Sequence, residues 1–214
     1  MNLISSENSY AGNLIAGLRD IELQKNRYQF RFNMERLGEI IAYELSKSLN
    51  YVEKDFVTPL GSSSVKVCSD RLVLATILRA GLPFYQGLAR LFDGAAHAFI
   101  GAYRAPHEGL EDIHINLEYR ATPNLEDSVL IVADPMLATG KSLVEACHSL
   151  MKQGKPSKVC IVSAIASQPG VDYVKEQLPD CELWIGALDP LLNEKGYIVP
   201  GLGDAGDLSF GEKL

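Results

Sequence analysis

The sequence predicts an α/β fold in which helices flank a mostly parallel sheet. Short apolar, β-branched runs are typical of strands buried on both faces, and here they alternate with amphipathic segments through the middle of the chain. Such alternation favours a parallel sheet with helices on both sides. The predicted strands span residues 71–78, 98–103, 113–119, 129–133, 158–166 and 182–187.

Length and composition fit one soluble globular domain. The chain has 214 residues, of which 47% are hydrophobic and 22% charged, as in ordinary globular proteins. No apolar run approaches the ~18 residues of a membrane span, and residues 1–6 lack the features of a secretion signal. We therefore expect a cytoplasmic protein without membrane association. The net charge of −7 disfavours nonspecific binding of nucleic acid.

The cysteines and histidines predict no structural metal site. No C-x-x-C pair and no helical metal-ligand spacing occurs among them. Three of the cysteines lie in or beside apolar runs, which favours buried, reduced thiols. These residues are Cys68, Cys147, Cys160, Cys181, His97, His107, His114 and His148.

The N-terminal part predicts helices after a polar start. Residues 1–13 are expected to be mobile, and residues 14–214 are expected to form a single domain. An amphipathic helix is predicted over residues 13–24, and a second helix follows with apolar side chains stepping by three or four. Those side chains are Met34, Leu37, Ile41, Leu45 and Leu49. Residues 51–67 predict a short hairpin or connector.

The strand predicted at 129–133 leads into a candidate phosphate site. It ends at Asp134, and a small-residue turn through Gly140 precedes a helix with one apolar face. A strand, a tight turn and a helix start bring free backbone N–H groups and the positive helix end to one place, which suits a phosphate. Asp134 could accept hydrogen bonds from sugar hydroxyls or hold a hydrated Mg²⁺. An ordinary strand-to-helix corner stays an equal alternative for this local pattern.

Two familiar nucleotide-binding motifs are excluded. A P-loop needs a glycine five positions before Gly140, where Pro135 stands. Residues 201–206 have the glycine spacing of a dinucleotide fingerprint, which also needs a strand before it, a helix after it and an acidic residue about 20 positions later. Only eight residues follow Gly206, so this fingerprint does not fit.

Two arginines follow predicted strands and are candidates for anion binding. Arg79 comes directly after strand 71–78, and Arg104 follows strand 98–103. An arginine at such a strand end suits an anionic ligand, although a solvated surface arginine fits the local pattern equally well. Residues 103–121 predict an extended hairpin arm. A lid over a site and a contact between subunits are both open for this arm.

The tail at residues 193–214 predicts a packed loop. Five glycines and Pro200 lie within residues 196–211, so neither a regular helix nor a central strand is expected. Interleaved apolar residues favour packing over disorder; they are Tyr197, Ile198, Val199, Leu202 and Phe210. Such a loop exposes main-chain donors and acceptors, the groups that can recognise the edge of a planar base.

Three blocks of the chain together resemble the uracil phosphoribosyltransferases, a family within the type I phosphoribosyltransferases. The blocks are Ile-Leu-Arg-Ala-Gly-Leu at 77–82, Asp-Pro-Met-Leu-Ala-Thr-Gly at 134–140, and Gly-Tyr-Ile-Val-Pro-Gly-Leu-Gly-Asp-Ala-Gly-Asp at 196–207. Their order and spacing match the family, and the similarity runs from about residue 14 to the C-terminus. The third block separates this family from other phosphoribosyltransferases.

The resemblance implies conversion of uracil and 5-phosphoribosyl-1-pyrophosphate (PRPP) into uridine monophosphate (UMP) and pyrophosphate. Mg²⁺ is the implied cofactor, held mainly by PRPP and water rather than by a protein metal site. The resemblance also implies a homodimer or higher homo-oligomer, and it raises activation by GTP as a property to test.

The same likeness assigns roles to individual residues. Arg79 and Arg104 would bind pyrophosphate, Asp134 would hold the ribose hydroxyls, and Asp204 would lie near the ribosyl substrate; Arg79, Arg104 and Asp204 are the implied catalytic residues. The implied PRPP-binding stretch continues through Pro135, Met136, Leu137, Ala138, Thr139, Gly140, Lys141 and Ser142, with residues 138–142 around the 5′-phosphate. The implied uracil-binding residues are Ile198, Gly203, Asp204 and Ala205.

Two positions depart from the family pattern, and two other functions stay open. Lys141 stands where relatives usually carry glycine or another small or polar residue, and we expect activity to survive there. Leu208 follows Asp207 where relatives often carry a basic residue, which puts in doubt contacts beyond Asp207. The alternatives are a phosphoribosyltransferase for another base and a regulatory, RNA-binding relative with the same fold. The net charge of −7 argues against the second.

Overall fold

The computed structural model describes residues 1–104 and 115–212, and only the backbone within 102–104 and 115–120. In chain order the strands are β1 (Asn2–Leu3), β2 (Tyr51–Thr58), β3 (Gly61–Cys68), β4 (Leu72–Leu78), β5 (Ala96–Arg104), β6 (Ile115–Ala121), β7 (Val129–Ala133), β8 (Met136–Leu137), β9 (Lys158–Ser167), β10 (Glu182–Asp189), β11 (Leu191–Leu192) and β12 (Ile198–Val199). The helices are α1 (Ala11–Arg19), α2 (Arg27–Ser46), α3 (Gly81–Leu91), α4 (Lys141–Met151), α5 (Gln168–Gln177) and α6 (Ala205–Phe210).

The main sheet confirms the predicted α/β fold. Its strand order is β1-β10-β9-β7-β4-β5-β6, with β8 paired to β9. All of these pairings are parallel except that of β5 with β6. None of the helices in the described part of the chain is long and apolar enough to cross a membrane.

The core lies on both faces of the sheet, because successive side chains of a strand point to opposite faces. Val129 and Ile131 of β7 join the cluster that contains Phe30 of α2. Leu130 joins the opposite cluster, which contains Leu143 of α4. Helices α1, α2 and α3 therefore cover one face, and α4 and α5 cover the other. This two-sided burial explains the continuous apolar runs of the central strands.

The helix predicted over residues 13–24 ends earlier than expected. Helix α1 stops at Arg19, and the Asp20 carboxylate accepts hydrogen bonds from the N–H groups of Glu22 and Leu23 at 2.9 and 3.0 Å. A side chain that bonds the backbone in this way competes with helix continuation. The second half of that prediction is therefore wrong.

The predicted hairpin at residues 51–67 is confirmed and forms a separate two-stranded sheet. Strands β2 and β3 pair antiparallel from Tyr51↔Cys68 to Thr58↔Gly61. Nearly all of its residues are exposed.

The start of the chain is paired with the main sheet. Asn2–Leu3 forms β1 and pairs with β10 at the sheet edge. This pairing lies within residues 1–13, which the sequence predicts to be mobile.

The tail contains a helix that the sequence was not expected to form. Helix α6 begins at Ala205, and Asp204 caps it by accepting from the N–H groups of Gly206 and Asp207 at 2.8 and 3.0 Å. Aspartate is a favoured N-cap, and α6 packs against α2, where Arg31 donates to the Ser209 carbonyl at 2.7 Å. Tertiary packing and the cap outweigh the cost of glycine in a short helix.

Candidate active site

Two loops meet at the carboxyl ends of the adjacent strands β4 and β7. The strands pair in register from Leu72↔Val129 to Thr76↔Ala133. Thr76 Oγ1 donates to the Ala133 carbonyl at 3.1 Å. A Cβ on Gly81 would lie 2.1 Å from Thr76 Oγ1, so only glycine allows the loop after β4 to approach this closely. Ligands of parallel α/β sheets bind beyond such strand ends.

The Asp134 carboxyl lies in an environment that opposes its charge. Protein atoms surround its carboxyl group although the residue as a whole keeps some accessible surface, and its backbone N–H donates to the Val162 carbonyl at 3.0 Å. Burial raises the pKa of the Asp134 carboxyl to about 7, and the hydrogen bond from the Met136 N–H opposes that rise. A nearby cation or donating hydroxyl groups would favour its ionised form.

The turn after Asp134 has the geometry expected of a phosphate site. Gly140 adopts a left-handed conformation with φ of 78°, and α4 begins at the next residue, Lys141. The Lys141 N–H donates to Thr139 Oγ1 at 3.5 Å. Ser142 is the second residue of α4. Backbone N–H groups at a helix start attract anions, so the predicted combination of tight turn and helix start is present.

Strand β9 holds the backbone of this turn in place. The pairing of Met136 and Leu137 with β9 anchors its start, and the Leu137 N–H donates to Ser163 Oγ at 3.1 Å. Ser167 Oγ donates to the Ala138 carbonyl at 2.6 Å. Pro135 and Leu137 are buried. These contacts fix the backbone of the turn.

The C-terminal tail reaches both loops. Arg79 Nη2 donates to the Gly211 carbonyl at 3.2 Å and lies 3.6 Å from the Asp207 carboxylate. A Cβ on Gly206 would lie 3.8 Å from Ala80 Cβ, and one on Gly196 would lie 3.9 Å from Thr139 Cγ2. The structure thus brings together the three sequence blocks that are separated along the chain.

The residues predicted to recognise a base differ in exposure. Gly203 and Asp204 are exposed, whereas Ile198 and Ala205 are buried, with 4% and 3% of their surface accessible. The Ile198 side chain belongs to the core, so only its backbone could serve a ligand. Asp204 caps α6 through Oδ1, a contact that was not predicted.

Two predictions fall on residues that are not fully described. Arg104 ends β5, and its side chain lies outside the described part of the structure. The predicted arm at 103–121 includes residues 105–114, which also lie outside it. The backbone on either side pairs antiparallel, from Phe99↔Ala121 to Arg104↔Ile115.

Sequence reasoning missed the residues that hold the loops of the candidate site. Ser163 and Ser167 support the turn after Asp134. Arg19 and Asp189 form a salt bridge at 2.7 Å and both bond Gly201 in the tail. These partners are far apart in sequence, and no local pattern links them.

Comparison with known proteins identifies the family. A family model described as uracil phosphoribosyltransferase matches residues 5–212. A relative named uracil phosphoribosyltransferase from Porphyromonas gingivalis is 48% identical over 99% of this chain and 98% of its own length. Another of the same name, from Pyrobaculum arsenaticum, is 40% identical over 94% of this chain and 95% of its own length.

Solved structures with the same fold are also known. A protein from Aquifex aeolicus matches with a TM-score of 0.87 and 30% identity over 98% of both chains. A hypoxanthine phosphoribosyltransferase from Staphylococcus aureus matches with a TM-score of 0.51 and 14% identity over 74% of both chains, which shows a common fold alone. Because the family match spans all three loops of the site and nearly the whole sequence, the chain belongs to the uracil phosphoribosyltransferase family.

Proposed function

We propose that the protein transfers the phosphoribosyl group of PRPP to uracil, which yields UMP and pyrophosphate. The observation that carries this function is the meeting of three loops: the Arg79 loop, the turn at 134–142 and the tail at 196–207. The first two suit the charged ends of PRPP, and the third offers backbone groups for a base. The family to which the chain belongs supports the same reaction.

In the proposed PRPP site, loops at two strand ends bind different parts of the ligand. Backbone N–H groups of residues 138–142 and the start of α4 would bind the 5′-phosphate. Asp134 would accept from the ribose hydroxyls, and donor hydroxyls would offset the cost of ionising its carboxyl. Arg79, together with Arg104, would bind the pyrophosphate through charge-assisted hydrogen bonds.

The proposed uracil site relies on the backbone of Ile198 and of residues 203–205. Uracil presents N3–H as a donor and O4 as an acceptor, whereas cytosine reverses both. Fixed backbone groups that pair with uracil would leave buried polar atoms unpaired against cytosine, and such mismatches discriminate strongly.

The reaction needs no side-chain nucleophile. Uracil N1 forms the new bond to C1 of the ribose as the C1–O bond to pyrophosphate breaks, and the N1 proton is lost to solvent. Negative charge accumulates on the departing pyrophosphate, where Arg79 and Arg104 would stabilise it electrostatically. We further propose that Asp204 lies beside C1, where its carboxylate would favour positive charge on the ribose.

The donor set fits a Mg²⁺ ion that arrives with PRPP. Within the described residues, no group of three or more His, Cys, Asp or Glu side chains could hold a metal by itself. Mg²⁺ often binds through one or two carboxylates together with substrate phosphates and water, and the Asp134 carboxyl lies at the proposed ribose position. When bound, the ion would neutralise charge on the pyrophosphate.

The proposal includes a cytoplasmic homo-oligomer. Cys147 and Cys160 are buried, Cys68 is exposed, and all four cysteines are free, which supports a reducing compartment. The β2–β3 hairpin exposes apolar side chains, with Val57 at 96% and Leu60 at 99% accessibility. Exposed apolar patches of this kind mark contact surfaces, and a second copy of the chain is the proposed partner.

One assay tests the proposed function. Purified protein is incubated with labelled uracil, PRPP and Mg²⁺, with cytosine and hypoxanthine as control bases, and UMP and pyrophosphate are measured. Of the three bases, we expect only uracil to give products. Efficient use of hypoxanthine or cytosine, or no uracil-dependent product, would contradict the proposal. Addition of GTP to the same assay tests activation, and titration with RNA at low salt tests the RNA-binding alternative, for which we expect no binding.

A further inference from the structure

The ends of two neighbouring strands each hold one of the ligand loops. Ser167 ends β9 and Asp189 ends β10, and the two residues are paired in the sheet. Ser167 Oγ donates to the Ala138 carbonyl of the turn at 2.6 Å. The Asp189 carboxylate accepts from the Gly201 N–H of the tail at 2.9 Å. The sheet therefore aligns the proposed phosphate loop with the proposed base loop.

Arg19 completes the hold on Gly201. Its guanidinium makes two bonds to the Asp189 carboxylate, at 2.7 and 2.8 Å. Arg19 Nη1 also donates to the Gly201 carbonyl at 2.9 Å. A bidentate pair of this kind fixes direction as well as distance. Both polar groups of Gly201 are thus bound, the N–H by Asp189 and the carbonyl by Arg19; we refer to these three residues as the Gly201 clamp.

The Gly201 clamp acts at the centre of the base-recognition segment. Gly201 is buried, and its φ of 60° is a conformation that favours glycine. A Cβ there would lie 2.2 Å from the Ile198 carbonyl, so the chain turns tightly between Ile198 and residues 203–205. The position of Gly201 thereby sets the distance between the two groups of backbone atoms proposed to recognise uracil.

Stability alone gives a weak reason for a buried ion pair here. Asp189 is only 5% accessible, and the Arg19 side chain is 23% accessible. Replacing a buried ion pair with well-packed apolar residues is often neutral or stabilising, because the pair must be desolvated. The specific consequence of this pair is the fixed orientation of the Gly201 peptide, and backbone recognition of a ligand requires such preorganisation.

We propose that Arg19 and Asp189 are positioning residues that set the affinity for uracil. This inference rests on the proposed uracil phosphoribosyltransferase function. The two side chains act through the Gly201 peptide rather than by touching substrate. The turn at 134–142 is held separately by Ser163 and Ser167, so loss of the clamp affects the proposed uracil site more than the proposed phosphate site.

The test compares variants that remove the clamp in different ways. The double variant Arg19→Met with Asp189→Leu removes both charges together, so no unpaired buried charge remains. Arg19→Lys keeps the positive charge but loses the planar guanidinium that makes two hydrogen bonds to Asp189. Arg90→Met is the control, because Arg90 forms a 2.6 Å ion pair with Glu35 that joins α2 to α3 rather than to the tail. Thermal unfolding checks that each variant is folded.

The measurements are KM for each substrate, kcat, and hydrogen–deuterium exchange of the peptide that contains residues 198–205. For the double variant we expect KM for uracil to rise by about tenfold or more, with KM for PRPP within about threefold of the wild type. Exchange at 198–205 should accelerate while exchange at 134–142 does not change. Arg19→Lys should recover part of the uracil affinity, and Arg90→Met should match the wild type.

Failure of the inference differs from failure of the proposed function. If the wild type forms no UMP from uracil, the proposed function is wrong, and so is the role of the clamp in uracil binding. If the wild type is active but KM for uracil is unchanged in a folded clamp variant, or both KM values rise equally, the positioning role is wrong. Should the double variant not fold, Arg19→Lys and Asp189→Asn are judged by the same criterion.

Discussion

Arg79 is a residue whose ion pair within the protein contributes little to stability. Its ion pair with Asp207 spans 3.6 Å, and the two side chains are 42% and 39% accessible. Exposed ion pairs typically contribute at most about 1 kcal/mol. The residue nevertheless lies at the carboxyl end of a central strand, which favours a role towards a ligand.

Arg79→Ala should therefore separate activity from folding. We expect kcat/KM to fall by about 10²–10³-fold, the usual cost of removing one donor that stabilises developing charge, with unfolding free energy changed by less than about 1 kcal/mol. Steady-state kinetics and chemical denaturation measure the two effects. Arg71→Ala is the control, since Arg71 donates to the Asn124 and Glu126 carbonyls at the opposite end of the same strand. Unchanged kinetics for Arg79→Ala would remove this arginine from the site.

Asp134 makes stability depend on pH. Burial raises the pKa of its carboxyl from 3.8 to about 7, so the folded protein binds more protons than the unfolded chain between those values. The free energy of unfolding therefore decreases as pH rises from about 4 to 7 through this group, and the loss is complete above the folded pKa.

Asp134→Asn should remove the loss of unfolding free energy that occurs as pH rises, and it should also impair activity. The asparagine cannot ionise, so the Tm gain of the variant over the wild type should grow from pH 5 to pH 8. Activity should decrease, because the carboxylate proposed for the ribose hydroxyls is lost. Thermal unfolding across pH and a UMP assay test both parts. A Tm difference that stays constant with pH would contradict the effect assigned to burial.

At the scale of a structural element, neighbouring positions of the turn between β7 and α4 should differ in how well they tolerate substitution. Gly140 has φ of 78°, and a Cβ there would lie 3.0 Å from both the Gly170 carbonyl oxygen and Val174 Cγ2. Lys141 is the first residue of α4. The first position is constrained by backbone conformation and space, whereas the second is a helix start.

Gly140→Ala and Lys141→Gly form a matched pair of variants. Gly140→Ala should raise KM for PRPP by about tenfold or more, because a strained turn displaces the N–H groups around the phosphate. Lys141→Gly should keep UMP synthesis within an order of magnitude, about 1.4 kcal/mol. Initial rates at varied PRPP measure both. A collapse of activity in Lys141→Gly would make the lysine essential.

The exposed β2–β3 hairpin carries a prediction about assembly. Val57→Asp adds charge to an apolar side chain that is 96% accessible, so it should weaken self-association without loss of folding. Asn13→Asp adds the same charge on the exposed surface of α1 and should leave assembly unchanged. Light scattering during size-exclusion chromatography gives the mass of each. Equal masses for Val57→Asp and the wild type would exclude this hairpin as the contact.

At the scale of the whole molecule, ligand binding should be visible as stability. PRPP with Mg²⁺ would contact loops after β4, β5 and β7 in the folded chain only. A ligand at 100 times its Kd adds about 2.7 kcal/mol to the free energy of unfolding. We therefore expect saturating PRPP with Mg²⁺ to raise the Tm measured by calorimetry, and to raise it less when EDTA is present. No shift at saturation would contradict the PRPP site.

Much of the fold was predictable because its signals are local. The apolar run of β7 predicts a strand buried on both faces, and the structure has it there. The strand-turn-helix at 129–151 was predicted from a helix start and a permissive glycine, both short-range features. The helix predicted at 13–24 failed at Asp20, because one side chain bonded to nearby backbone outweighed the pattern of neighbouring residues. Helix α6 was missed because its Asp204 cap acts together with packing against α2, which the local pattern does not show.

The sequence by itself determined the fold class, the three blocks and the family that they resemble, since each depends on residues that are neighbours along the chain. Only the tertiary structure decided that the tail contacts both the Arg79 loop and the Asp134 turn, and that Arg19 and Asp189 bind Gly201. Arg19 and Asp189 are separated by 170 residues, so their contact depends on the order of strands in the sheet and on the packing of α1. Local patterns carry no information about such pairings, because the burial and hydrogen bonding that favour them exist only in the folded chain.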